Sequence, residues 1–123
     1  HLVATAAGTL SADEQAAGEA AIIGAFRSSL ADNGLEDAMR GELMVLPSET
    51  YLFEAMATGE RLADPGAIHA AREGLKAAIG TALAGDLAAL HARASAIAHD
   101  DPAGRGARKV KTIALGLIAA ADP

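Results

Sequence analysis

Leu46-Pro47-Ser48-Glu49 and, further on, Asp64-Pro65-Gly66-Ala67-Ile68-His69-Ala70-Ala71-Arg72-Glu73 are two proline-marked helix starts. Proline crowds the residue before it out of the α region, so Pro47 closes one helix. Ser48 offers a hydroxyl oxygen to the free N–H groups of the next, and Glu49 sits at the positive end of that helix dipole, worth about 0.3–1 kcal/mol. Asp64 caps a third helix, with Pro65 at the first helical position, where a missing N–H costs nothing. From Pro65 the apolar series Ile68, Leu75, Ile79, Leu83, Leu87, Leu90, Ala94, Ile97 advances mainly by threes and fours. This spacing predicts one central helix of about thirty residues, roughly 45 Å long. Gly74, Gly80 and Gly85 fall inside it, each costing about 1 kcal/mol against alanine, and predict a kink or a close helix contact.

Working outward, His1–Ala7 reads as the last turns of a helix whose beginning is missing, ended by Gly8. Ser11 followed by Glu14 is a capping-box pattern opening a helix to about Leu30, with Ile22, Ile23, Phe26 and Leu30 on its apolar face. Asp32-Asn33-Gly34 supplies a turn in which a positive φ is tolerated. A helix from about Leu35 to Met44 is expected to bury Leu35, Met39, Leu43 and Leu46. The next, about Glu49 to Ala57, is expected to set Leu52, Phe53 and Met56 against it. Asp101-Pro102 is expected to start the last helix, burying Val110, Ile113, Ala114, Leu117 and Ile118, with Pro123 just beyond.

Composition points the same way. Thirty-three of the 123 residues are alanine, and the aromatics are Phe26, Tyr51 and Phe53 alone, which favours helices packing through small side chains. The fold class expected is all-α, with antiparallel helices in a solenoid-like or bundle arrangement, about five in number. No cysteine is present, so disulfides and thiolate metal sites are excluded; this is compatible with a reducing compartment, and cytoplasm is the default expectation. A formal charge of −6 argues against a nucleic-acid surface, and no run of about 18 apolar residues is available to span a bilayer. No nucleic-acid or membrane partner is therefore expected.

Each candidate for chemistry has a plainer reading. His69 and Glu73, four apart on one helix face, are the best metal-ligand pair, but two ligands fall short of the three or four a zinc site needs. His91 and His99 lie eight apart without an interleaved ligand set. Gly104-Arg105-Gly106-Ala107-Arg108-Lys109 has the glycines and cations of a phosphate cradle but no preceding strand and no Gly-Lys-Ser/Thr, so it reads as a flexible helix start. Arg105, Arg108, Lys109 and Lys111 then form a solvated face or a contact to an acidic neighbour. Ser48 has no histidine or nucleophile elbow nearby, and capping is its role. Arg72 and Glu73 are expected to take part in helix-to-helix ion pairs.

The two opening stretches resemble those of the aminopeptidase N (alanyl aminopeptidase) family of zinc metallopeptidases, whose bacterial members carry a similar Leu-Pro-Ser-Glu and Asp-Pro-x-x-Ile-x-x-x-Arg-Glu in the C-terminal α-helical domain. The resemblance extends over nearly the whole chain, through Leu83, Leu87 and Leu90 and Arg108-Lys109-Val110-Lys111-Thr112-Ile113-Ala114-Leu115. It departs from the family pattern at Val110, Lys111 and Thr112, and at His91, where the family often has tyrosine. The resemblance implies that residues 1–123 are part of a C-terminal helical domain of a larger enzyme. That enzyme would bind zinc, hydrolyse N-terminal residues from peptide substrates, and carry its catalytic domain elsewhere in the same polypeptide. The His-Glu-x-x-His and Gly-x-Met-x-Asn motifs of such an enzyme do not occur in this sequence, so no catalytic, cofactor-binding or metal-binding residue is assigned here, and Tyr51, on an expected packing helix, is not given the role of a catalytic tyrosine. A second expectation rests on composition: a free-standing helical adaptor or homo-oligomerisation module meeting its partner through Gly74, Gly80, Gly85 and Gly116. An independent small enzyme built on His69 and Glu73 is the third.

Overall fold

The computed structural model describes residues 1–57, 63–97 and 101–122, and His99 and Pro123 lie outside them. The fold is all-α. Among the described residues there are seven helices and no strand: α1 (Leu2–Ala7), α2 (Ala12–Ala31), α3 (Asp37–Leu43), α4 (Glu49–Met56), α5 (Pro65–Ala82), α6 (Ala84–Ser95) and α7 (Gly104–Ala121).

The caps sit where side-chain chemistry puts them. Gly8 ends α1 in the left-handed region, φ 70°, where an L side chain crowds the following carbonyl. At the start of α2, Ser11 Oγ accepts from the Glu14 N–H at 3.1 Å, and Glu14 Oε1 accepts from the Ser11 N–H at 3.1 Å. That backbone donor, helped by the serine side chain, holds the Glu14 carboxyl below its usual range. Ser48 Oγ accepts from the Tyr51 N–H at 3.1 Å, and Asp64 Oδ1 from the Gly66 N–H at 2.9 Å, with Pro65 in the first turn of α5. Changing Ser48 to alanine leaves one of these N–H groups unpaired. The expected result is a loss of about 1 kcal/mol, read from a urea melt, with the helical spectrum unchanged.

Helices α5, α6 and α7 form the centre. α7 lies along both α5 and α6; α3 crosses α7, α1 and α4 rest on α5, and α2 reaches α3, α5 and α6. Ile79, Leu87, Val110 and Ala114 have no exposed surface and Ile68 and Leu83 almost none. The apolar series from Ile68 to Ala94 is therefore core throughout, with Ile97 packed at its edge.

The expected thirty-residue helix is two helices. Leu83 leaves helical geometry, φ −115° and ψ 22°, and divides the rod between Gly80 and Gly85. The Leu83 N–H still bonds Ile79 O at 3.0 Å and Leu83 O still accepts from the Leu87 N–H at 2.9 Å, so the element is kinked rather than severed. Glycine on either side lowers the cost of that bend, since it adds no side chain to hold the turn.

Four further expectations are corrected. The α3 helix buries Arg40 and Gly41, with Met44 just past its end, while Met39 and Leu43 are 54% exposed; the short helix is turned so that its glycine, not its leucine, meets α7. α4 buries Leu52 against α5 and α1, leaving Phe53 42% exposed. The turn expected at Asp32-Asn33-Gly34 forms without using the positive φ it would tolerate, closing through Asp32 Oδ1, which accepts from the Gly34 N–H at 3.0 Å. Pro102 precedes the last helix instead of opening it, because Asp101 accepts from the Ala103 and Gly104 N–H groups, both at 2.8 Å, and α7 begins at Gly104. Ile113 and Ile118 are only partly buried on that helix.

Candidate functional site

The two opening stretches meet in space. Arg72 Nε, on α5, donates to Pro47 O at 2.9 Å, and His69 Nδ1, one turn earlier, lies 2.9 Å from Glu49 Oε1 at the start of α4. A loop carbonyl that proline's geometry leaves outside any helix is thus held by the arginine of the second stretch. Together with the Ser48 and Asp64 caps, these contacts lock the start of α4 against the first two turns of α5. His69 and Glu49 are 63% and 48% exposed at the side chain, so their pairing is solvated and modest. Glu73 does not join His69; it lies 3.4 Å from Lys76 Nζ, and the i,i+4 metal pair is split between two neighbours. Among the described residues no group of three or more His, Cys, Asp or Glu converges.

A second cluster is buried. Arg40, 5% exposed, sends Nη2 to Asp32 O and Leu35 O, each at 2.9 Å, Nη1 to Ser29 O, and Nε to Asp37 Oδ1 at 3.3 Å. Asp37 in turn receives a two-pronged contact from Arg93 on α6, at 2.8 and 2.9 Å. The cluster joins the end of α2, the start of α3 and the last turn of α6. A cation placed at the carbonyl end of α2 satisfies groups with no intrahelical partner and complements the helix dipole. Sequence reasoning passed over all three residues; the one local signal is the i,i+3 spacing of Asp37 and Arg40.

The hydrogen bonds from Arg93 hold the Asp37 carboxyl below the usual aspartate range, with burial opposing them and the charges of Arg93 and Arg40 and the Arg40 hydrogen bond assisting. Folding therefore favours the ionised form. Its contribution is complete above the unfolded pKa, near about pH 4, and is lost as pH falls through the lower folded value. Urea midpoints measured from pH 5 down to pH 2 should fall more steeply for the native chain than for Asp37→Asn, whose side chain has no such titration.

The glycine-rich start of α7 is a packing surface. A Cβ on Gly106 would stand 2.8 Å from the Ala38 backbone nitrogen, so the bare backbone is what lets α3 approach. Lys109 lays its aliphatic stem over Gly41 and pairs with Glu42, which accounts for one cation of the basic segment by a contact within the chain. Of the four glycines expected to mediate close contact, Gly80 alone does so; a Cβ at Gly74, Gly85 or Gly116 would meet no atom within 4 Å. Among the described residues, no helix is long and apolar enough to cross a membrane.

Neither site gathers a nucleophile, a base and an anion-stabilising group, and their common property is that they fasten helices to one another. A family model described as a domain of unknown function (DUF3458_C), ARM repeats, matches residues 1–123. No curated protein and no solved structure matches the chain.

Proposed function

Because the chain belongs to the DUF3458_C family of ARM-repeat domains, we propose that it is a non-catalytic helical segment of an aminopeptidase N-like zinc metallopeptidase. In this reading it supports the substrate chamber and the packing between domains. Zinc, the peptide substrate and the chemistry belong to a catalytic domain of the same polypeptide, and the enzyme works in the cytoplasm.

The observation that carries the reading is the junction of the two proline-marked stretches. Of the residues on which the resemblance to aminopeptidase N rests, Arg72 of the second stretch bonds to Pro47 of the first, and Glu49 pairs with His69, which lies at a variable position of the second pattern. They are spent on holding a helical frame, as residues shared for architecture would be. ARM-type repeats bury their apolar faces on neighbouring repeats, a geometry suited to an extended supporting wall.

The test is to recover the native polypeptide from source cells with an antibody against this chain. A species far above 12.3 kDa, containing a His-Glu-x-x-His peptide and releasing alanine from an alanine anilide in a zinc-dependent manner, is expected. A native species near 12.3 kDa, or zinc-dependent turnover by the 123-residue chain alone, would overturn the proposal. The first of those outcomes would favour a free-standing helical adaptor or homo-oligomerisation module.

A further inference from the structure

Between α5 and α7, beside the loop that follows α3, lies an open cleft of about 170 Å3 lined by Arg72, Lys76, Thr112, Leu46, Ile113 and Gly116, with Leu117 at its base. Its two charged residues are both cations, in a chain with 16 acidic residues and 10 basic ones. Arg72 and Lys76 are i,i+4 neighbours on one helix, a spacing at which like charges repel and destabilise the helix. Burial sharpens the repulsion, since the Lys76 side chain is only 22% exposed. Among the described residues the carboxylate paired with Lys76 is Glu73, at a long 3.4 Å, and it is not part of the lining.

The donors are arranged for a carboxylate. Arg72 spends Nε on Pro47 O, and neither Nη group has a partner among the described residues, which leaves the end of the guanidinium fork for a two-oxygen acceptor. Lys76 adds a point charge one turn away. Thr112 donates its hydroxyl hydrogen to Arg108 O at 3.0 Å, so toward any further partner its oxygen can only accept. Leu46, Ile113 and Leu117 supply an apolar wall, and at Gly116 no side chain fills the space.

We propose that this cleft binds a small apolar carboxylate carrying a hydrogen-bond donor next to the carboxyl group, the class to which N-acylated amino acids belong. The carboxylate meets Arg72 and Lys76, the donor meets Thr112, and the apolar part lies on Leu46 and Ile113. The assignment does not rest on the reading of the parent enzyme, and its test is made on the 123-residue chain.

N-acetyl-L-leucine is the probe, titrated into 15N-labelled protein at pH 7. The expected result is saturable shifts confined to amides around Leu46, Lys76, Thr112 and Gly116, with Kd on the order of millimolar, as befits a small ligand in an open site. N-acetyl-L-leucine amide, which lacks the carboxylate, should bind at least about tenfold more weakly, and Lys76→Gln should weaken the acid by about tenfold through loss of one charge-assisted contact. Gly116→Leu fills the cleft and should abolish the shifts while the helical spectrum is kept. Lys76 and Gly116 are chosen because neither holds the Pro47 junction, so loss of binding is not loss of the fold. Equal binding of the amide and the acid, equal binding of inorganic phosphate, or shifts that survive both substitutions would each overturn the assignment.

Discussion

Replacing Arg40 by alanine is expected to destabilise the fold by about 3 kcal/mol, the cost of stripping a buried, hydrogen-bonded charge from its partners. Against a total stability of about 5–15 kcal/mol for a domain, this is a large fraction, and the urea midpoint should fall accordingly. The loss has two parts. Ser29, Asp32 and Leu35 give up the donor for their carbonyl oxygens, and Asp37 gives up one of its two cations. The first part dominates, since Asp37 keeps its paired contact with Arg93. Arg93→Ala should therefore cost less, because Arg93 is 51% exposed and water replaces it. Arg40→Lys should recover little, since one ammonium cannot reach carbonyls spread around a planar fork. Hydrogen exchange should accelerate in the last turn of α2 and at the start of α3 before it does so in α5. An Arg40→Ala chain as stable as the native one would show that water serves those carbonyls equally well.

The second large effect comes from a single methyl group. In Gly80→Ala the new Cβ would lie 2.1 Å from the Leu117 carbonyl oxygen and 2.9 Å from Ala121 Cβ, so α5 and α7 must move apart. The obstacle is backbone, which has no rotamer to change. Overpacking of this kind costs typically about 1–3 kcal/mol, occasionally more, and the gain in helix propensity returns about 1 kcal/mol. A net loss of about 2 kcal/mol is expected, with Gly74→Ala on the same helix as the control. There the Cβ meets open space, and stability should rise by about 0.5–1 kcal/mol. Opposite signs for two chemically identical changes, measured by thermal melts, would locate the close approach of α5 to α7 at Gly80; equal signs would remove it.

Most features decided by neighbouring residues were legible in the sequence, the start of α7 beyond Asp101-Pro102 excepted, and features decided by distant ones were not. Ser11 with Glu14, Ser48, Asp64 with Pro65, and Gly8 each act on N–H or C=O groups within five residues, and each sits where its chemistry predicts. The apolar series from Ile68 to Ala94 is core because its period matches the helix regardless of what packs on it. Met39 and Leu43 have the same spacing yet face solvent, since α3 is seven residues long and meets α7 through Gly41 beneath the Lys109 stem and through the Ala38 backbone against Gly106. Arg40 gave no local sign of burial: the carbonyls that retain it belong to the end of α2 and the turn after it. At the junction of the two opening stretches, the capping of each was readable, but the bond from Arg72 to Pro47 joins residues 25 apart in the chain.

The bend at Leu83 has a mechanical meaning. α5 and α6 meet at a joint where Leu83 leaves helical geometry, and α7, 18 residues long, lies across both like a splint. The stiffness of that joint comes from the splint rather than from the jointed rod. A load that pried the end of α7 from Gly80 would release the angle between α5 and α6, leaving the apolar surfaces of each half attached to separate lever arms.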